Sequence, residues 1–182
     1  MASSRRFIPA GKPADGEGLH RYRVVAVTSD IAALVEYAGG FLCDRARAGW
    51  NVRVLVDGPG ETRPLTILGV SADAVSGQTD AGAAMSGFGP GTTVIVGADL
   101  LTRDSRLRAS AARLATAGAA VHVWGPPSYP GCRPAPIQHE LSTAAQAFKN
   151  SALRAARIDR AAEPVETLYR LADGSPRRLR SV

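Results

Sequence analysis

The chain has 182 residues, 45% of them hydrophobic, with 22 Lys or Arg against 16 Asp or Glu and a net charge of +6. That length suits one domain with a sizeable core, and that apolar content excludes wholesale disorder. Two cysteines, Cys43 and Cys132, without C-x-x-C spacing argue against a disulfide framework and against a cysteine-based zinc site.

No apolar run approaches the roughly 18 residues that a bilayer-spanning helix needs. The basic N-terminus is followed by no apolar segment of the secretory type, so a cytoplasmic protein with no membrane partner is expected. The positive charge is 20 Arg and 2 Lys in an Ala- and Gly-rich chain, a compositional bias that raises the isoelectric point without any anionic partner. It is also uneven. Residues 49–102 sum to −3 and residues 103–182 to +7, which puts any basic patch in the C-terminal half.

Residues 1–19, rich in Gly, Pro and charge, read as a flexible arm. "YRVVAVTSD" (22–30) is a β-branched run of buried-strand type. Residues 31–49 follow with helical periodicity, Ile31, Leu34, Val35, Ala38 and Leu42 forming one face and Asp30 standing at the N-cap position. "WNVRVLVDG" (50–58) is the next strand, and the apolar run "PLTILGV" (64–70) a third. "TTVIVGAD" (92–99) is the fourth. Residues 105–118 read as a helix with Leu107, Ala111, Leu114 and Ala115 inward, closed by Gly118, and "AAVHVWG" (119–125) as the fifth strand. A Pro-rich loop leads to a helix at about 140–160, with a Thr143–Gln146 capping box and an inner stripe of Leu141, Ala145, Phe148 and Ala152. The last segment, 163–182, reads as a hairpin, an added edge strand or a tail that orders on a partner.

Strands that alternate with helices and read as continuous apolar runs predict a parallel sheet covered on both faces. The expected fold is α/β: one Rossmann-like or flavodoxin-like doubly wound, mainly parallel five-stranded sheet over residues 20–162, with a C-terminal helix and a β-type tail at 163–182. Within it, Gly39 and Gly40 interrupt a helical pattern at about 1 kcal/mol each relative to Ala. On a 100° wheel that starts at Ile31, Gly39 falls at about 80°, at the edge of the apolar face, and Gly40 at about 180°, away from the sheet. Packing on the sheet accounts for Gly39. For Gly40 a kink or break is favoured over a second surface packed on the helix's outer side.

Ligands of doubly wound sheets bind at the carboxyl ends of the strands, near the switch in strand order. Ser29, Asp30, Asp57, Asp99 and Trp124 fall there and are the candidate ligand-binding residues. Carboxylates are the oxygen donors that Mg²⁺ takes, yet Asp30 and Asp57 each have a local role as cap and turn residue, so no metal ligand is assigned. Neither G-x-G-x-x-G nor G-x-x-x-x-G-K-[ST] occurs, and "GFGPG" (87–91) precedes a strand instead of opening a helix. No G-x-S-x-G elbow marks a nucleophile. The cofactor and any catalytic residue are therefore left open.

"AGGFLCDRARAGWNVRVLVDG" (38–58) resembles the stretch that follows the metal signature of LmbE/PIG-L-type deacetylases. Where that family carries P-H-P-D-D-E, this chain has T-S-D-I-A-A-L-V-E, with no His and no paired carboxylates. The family's activity is not carried over to these residues.

Arg154, Arg157 and Arg160 recur every three residues, and Arg177, Arg178 and Arg180 follow, a patch that can track phosphates or meet a partner. Asp159 and Glu163 stand ready to neutralise it. The absent motifs, the outward Gly40 and the detached tail lead to one expectation: a non-catalytic regulatory or binding module, reached by a protein partner or a second copy of itself through the C-terminal helix and tail. One alternative is a small-molecule, nucleotide or Mg-dependent enzyme at the strand rim. The other is nucleic-acid association through the Arg-rich half.

Overall fold

A computed structural model describes residues 22–75, 81–85, 88–126 and 135–171. The arm 1–19, Cys132 and the arginines 177, 178 and 180 lie outside the described residues. The elements in chain order are β1 (Arg23–Thr28), α1 (Ile31–Arg47), β2 (Asn51–Asp57), α2 (Arg63–Ile67), β3 (Ser71–Val75), α3 (Ala81–Met85), β4 (Thr92–Gly97), α4 (Ala98–Arg103), α5 (Ser105–Thr116), β5 (Ala120–Trp124), β6 (Ala135–Glu140), α6 (Thr143–Ala155) and β7 (Val165–Arg170). None of the described helices is long and apolar enough to cross a membrane.

The strands form one sheet in the order β3-β2-β1-β4-β5-β7-β6. The first five are mutually parallel, while β7 runs antiparallel to both β5 and β6. The α/β expectation holds, with two corrections: the sheet has seven strands, not five, and it is mixed. Its parallel part has the 3-2-1-4-5 order of Rossmann-type sheets rather than the 2-1-3-4-5 of flavodoxin-type ones. Two cores lie on its two faces. Val24, Ala26, Val54 and Val56 pack under α1, α2 and α6; Val25, Val27, Val94, Val96, Val121 and Val123 pack under α4 and α5. Burial on both faces is why these strands read as unbroken apolar runs.

The run 64–70, expected as a strand, is the short helix α2, which Pro64 opens and Gly69 closes at φ +75. The strand that pairs with β2 begins only at Ser71, in "SADAV", where no long apolar run advertises it. The helix expected at about 140–160 spans Thr143–Ala155, and its cap is Ser142, not Thr143: the Ser142 hydroxyl accepts the N–H of Ala145 at 3.1 Å. Its inner stripe also differs. Phe148 is exposed, and Lys149 is buried in its place beside Ala145, Ala152 and Leu153. Within 163–182, Val165–Arg170 forms β7 inside the sheet, between β5 and β6.

The glycine pair receives a definite answer. α1 is one uninterrupted helix through Gly39 and Gly40, so the break favoured from the sequence is not present. The second surface is. Leu141, which precedes α6, and Glu166 of β7 sit against Gly40, where a Cβ would overlap Cγ and Cδ2 of Leu141.

Candidate functional site

The β1–α1 turn is tied by Thr28, fully buried, whose hydroxyl donates to the Asp30 carbonyl at 2.7 Å and accepts the Asp30 N–H at 2.9 Å. The turn leaves Ser29 and Asp30 at the carboxyl end of β1. Asp30 Oδ1 caps α1 by accepting the Ala33 N–H at 3.1 Å. From the neighbouring strand, Gly97 ends β4 and α4 begins at once, which puts Asp99 and Arg103 on the same rim. Arg103 donates to Asp99 at 2.5 Å and to Ser29 Oγ at 3.0 Å, so one guanidinium bridges the ends of β1 and β4.

Trp124, the last residue of β5, forms the third side. It is 3% exposed, stacks on Tyr37 of α1 with ring centroids 6.3 Å apart, and its indole N–H meets no acceptor among the described residues. A buried donor without a partner is uncommon and costs free energy. Gly97 makes this assembly possible: a Cβ there would lie 2.5 Å from Asp99 Oδ1 and 2.9 Å from Trp124 Cζ2. Together Asp30, Tyr37, Asp99, Arg103 and Trp124 line a cleft of about 520 Å³. It opens at the carboxyl ends of β1 and β4, from which the connections run outward in opposite directions (β1 to β2 and β3, β4 to β5), the switch point where such folds hold ligands.

Of the five candidate rim residues, Asp30, Asp99 and Trp124 line this cleft, and Ser29 reaches it through Arg103. Asp57 does not; it stands at the exposed end of β2. Among the described residues no three His, Cys, Asp or Glu side chains cluster as metal ligands. The Mg²⁺ reading of the rim is therefore not assembled. The zinc signature of the deacetylase family fits no better, since Asp30 is the one carboxylate in Ser29–Ala33 and one of its oxygens caps a helix.

Sequence reasoning missed Arg103, whose signal was its i+4 spacing from Asp99, and it missed a buried ion pair. Glu166 of β7 and Lys149 of α6 meet at 2.6 Å with side chains 2% and 3% exposed. The same carboxylate accepts the N–H of Gly40 at 2.8 Å and of Phe41 at 2.7 Å, which satisfies an otherwise costly buried charge. A third cluster contains Ser142, His139 and Asp44. Here Asp44 sits between the other two, accepting the Ser142 hydroxyl at 2.6 Å and facing His139 Nε2 at 3.0 Å. Among the described residues no hydrogen bond joins the imidazole to the hydroxyl; both are held by Asp44, so the arrangement fastens α6 to α1.

The arginine patch does not form one helical stripe. α6 ends at Ala155, Arg157 turns out of it at φ 60, and Arg160 lies beyond, paired with Glu36 of α1 instead of Asp159 or Glu163.

No protein-family model and no curated protein matches the chain. Solved structures do. A pseudoaglycone deacetylase of an antimicrobial reagent superposes with a TM-score of 0.60 at 12% identity, covering 86% of this chain and 99% of its own. A deacetylase of the teicoplanin biosynthetic pathway superposes at 0.56 with 15% identity, covering 84% and 100%. The 4-carboxy-2-hydroxymuconate hydratase of Pseudomonas putida reaches 0.50 with 14% identity, covering 88% and 99%. At such identity the likeness is one of fold.

These findings correct the expectation of a non-catalytic partner-binding module. The three solved structures named above are enzymes by name, two deacetylases and a hydratase. The outward glycine, taken as a docking face, is covered by the chain's own Leu141 and Glu166, and part of the supposed tail is a strand of the sheet.

Proposed function

We propose that this chain is an enzyme that acts on a small organic molecule held in the rim cleft. The observation that carries the reading is the convergence of Asp30, the Asp99–Arg103–Ser29 group and the Tyr37–Trp124 stack on one cleft at the switch point of the sheet. Two reactions named among the structural neighbours, deacetylation and hydration, both consume water. The polar groups here suit that class without a metal-bound water. Asp30 keeps Oδ2 without a protein partner among the described residues and serves as the base that takes a proton from water. The water oxygen adds to a polarised carbon of the substrate, and the negative charge that develops on the substrate oxygen is met by Arg103. In deacetylation the oxyanion then re-forms its carbonyl as the bond from the acyl carbon to the leaving nitrogen or oxygen breaks, and the Asp30 carboxylic acid gives its proton to that leaving atom. In hydration it gives the same proton to the neighbouring carbanionic carbon. Tyr37 and Trp124 form the apolar bed of the cleft.

Thermal unfolding with a panel of simple amides, esters and unsaturated carboxylic acids tests the reading. A ligand at about 100 times its dissociation constant adds roughly 2.7 kcal/mol and raises the midpoint. The rise should shrink in Arg103→Met and Trp124→Phe. A panel that shifts none of the three proteins, or all three alike, removes the rim from consideration.

A further inference from the structure

Behind Tyr37 lies a second cavity of about 280 Å³, which shares Tyr37, Gly125 and Pro126 with the rim cleft. Its wall includes Lys149, Arg160, Glu36, Glu163 and Tyr169. Lys149 is buried, 3% exposed, and one of its three N–H groups goes to Glu166. The other two have no protein acceptor among the described residues. The carboxylate of the pair is better supplied: Oε1 accepts from Lys149 and Gly40 and Oε2 from Phe41, three of its about four acceptor positions. The unmet need in this cavity is for an acceptor, and buried donors are rarely left without one.

We propose that this cavity is a ligand compartment in which the Lys149 ammonium holds an uncharged carbonyl oxygen, as of an amide. The charge balance of the wall selects against an anion. The wall sets Lys149 and Arg160 against Glu36, Glu163 and Glu166, two cations against three carboxylates, so a ligand carboxylate would add charge of the sign already in excess. An apolar group alone would leave the ammonium donors unmatched. An amide satisfies both conditions, its oxygen toward Lys149 and its carbon skeleton against the rings of Tyr37 and Tyr169. The inference rests on this second cavity and stands apart from the rim chemistry proposed above.

The chain contains two lysines, Lys12 and Lys149, so protein labelled with ¹⁵N at lysine gives two side-chain ammonium signals. N-methylacetamide titrated into the full chain should move the Lys149 signal saturably, and acetate should not. Ala161→Trp, at the exposed edge of the cavity wall, fills the compartment without touching the buried pair and should weaken the amide at least about tenfold, the factor a lost hydrogen bond to a charged group carries. Arg103→Met, in the rim, should leave the titration unchanged. The proposal is overturned if the Lys149 signal stays still, if acetate moves it as far as the amide does, or if Ala161→Trp has no effect while Arg103→Met abolishes the shift.

Discussion

Glu166 Oε1 accepts the backbone N–H of Gly40 at 2.8 Å, across 126 residues of chain, and places a buried carboxylate against the middle of a helix. The approach is open because Gly40 has no side chain. A Cβ would overlap Leu141 and come within 3.1 Å of Glu166 Oε1. Gly39 differs, since its added Cβ would meet Leu68 Cδ1 at 3.4 Å and nothing nearer. Gly40→Ala should therefore destabilise by about 1–3 kcal/mol through overpacking, even after the gain in helix propensity. Gly39→Ala should be neutral or stabilising by up to about 1 kcal/mol. Urea unfolding of both decides it, and equal effects would mean that Leu141 and Glu166 do not press on α1.

The Lys149–Glu166 pair should behave as a unit. Removing either partner leaves the other charge buried, which costs about 3–5 kcal/mol. Lys149→Met and Glu166→Gln should each fall in that range. The double variant should cost less than the two together, with a coupling of about 0.5–3 kcal/mol. Strict additivity in the denaturation cycle would show that the two groups do not meet in solution.

Much of the parallel sheet was legible, because β1, β2, β4 and β5 are buried on both faces and so advertise themselves as apolar runs. The misreadings have local causes. Apolar Leu65 and Leu68 face the core from a helical turn, a pattern too short to separate from a strand, while β3 is an edge strand with one buried residue. Glu166 and Lys149 are charged residues at core positions, and their partners are distant in sequence, so periodicity placed Phe148 inside instead. Asp30, Asp99 and Trp124 were found because strand ends locate a rim; Asp57 shared that rule but faces solvent. Arg103 needed the geometry of α4.

Acid should weaken the fold in two stages. Burial, helped by the charges of Arg170 and Arg45, holds the His122 imidazole below its ordinary 6.5. As pH falls below about 6.5 the unfolded chain takes up this proton before the folded one does, so stability is lost from that point downward. For Asp44 burial acts upward, but hydrogen bonds from the Ser142 hydroxyl and N–H and from His139 outweigh it and hold the carboxyl below 3.8. Its contribution is present above pH 3.8 and is lost as pH falls through the folded value. Urea midpoints across this range should show His122→Gln flattening the first decline and Asp44→Asn the second. An unchanged profile in His122→Gln would mean that the imidazole is not buried in neutral form.

Arg157 marks a position where the fold holds a side chain against backbone preference. The helices α1, α2 and α5 each end with a left-handed glycine, Gly49, Gly69 and Gly118, closed by the same pair of backbone bonds. α6 closes in that way too: Arg157 N–H donates to the Arg154 carbonyl and Ile158 N–H to the Leu153 carbonyl, yet the residue at φ 60 is Arg. The left-handed conformation costs an L-residue with a Cβ roughly 1–2 kcal/mol. Arg157 is exposed, so its side chain offers little packing to offset this. Arg157→Gly should therefore raise stability by about 1 kcal/mol, less the greater freedom glycine gives the unfolded chain. A matching rise in the urea midpoint, with an unchanged denaturant slope, is the expected result. A loss of stability would mean that the guanidinium makes a contact that holds the end of α6 in place.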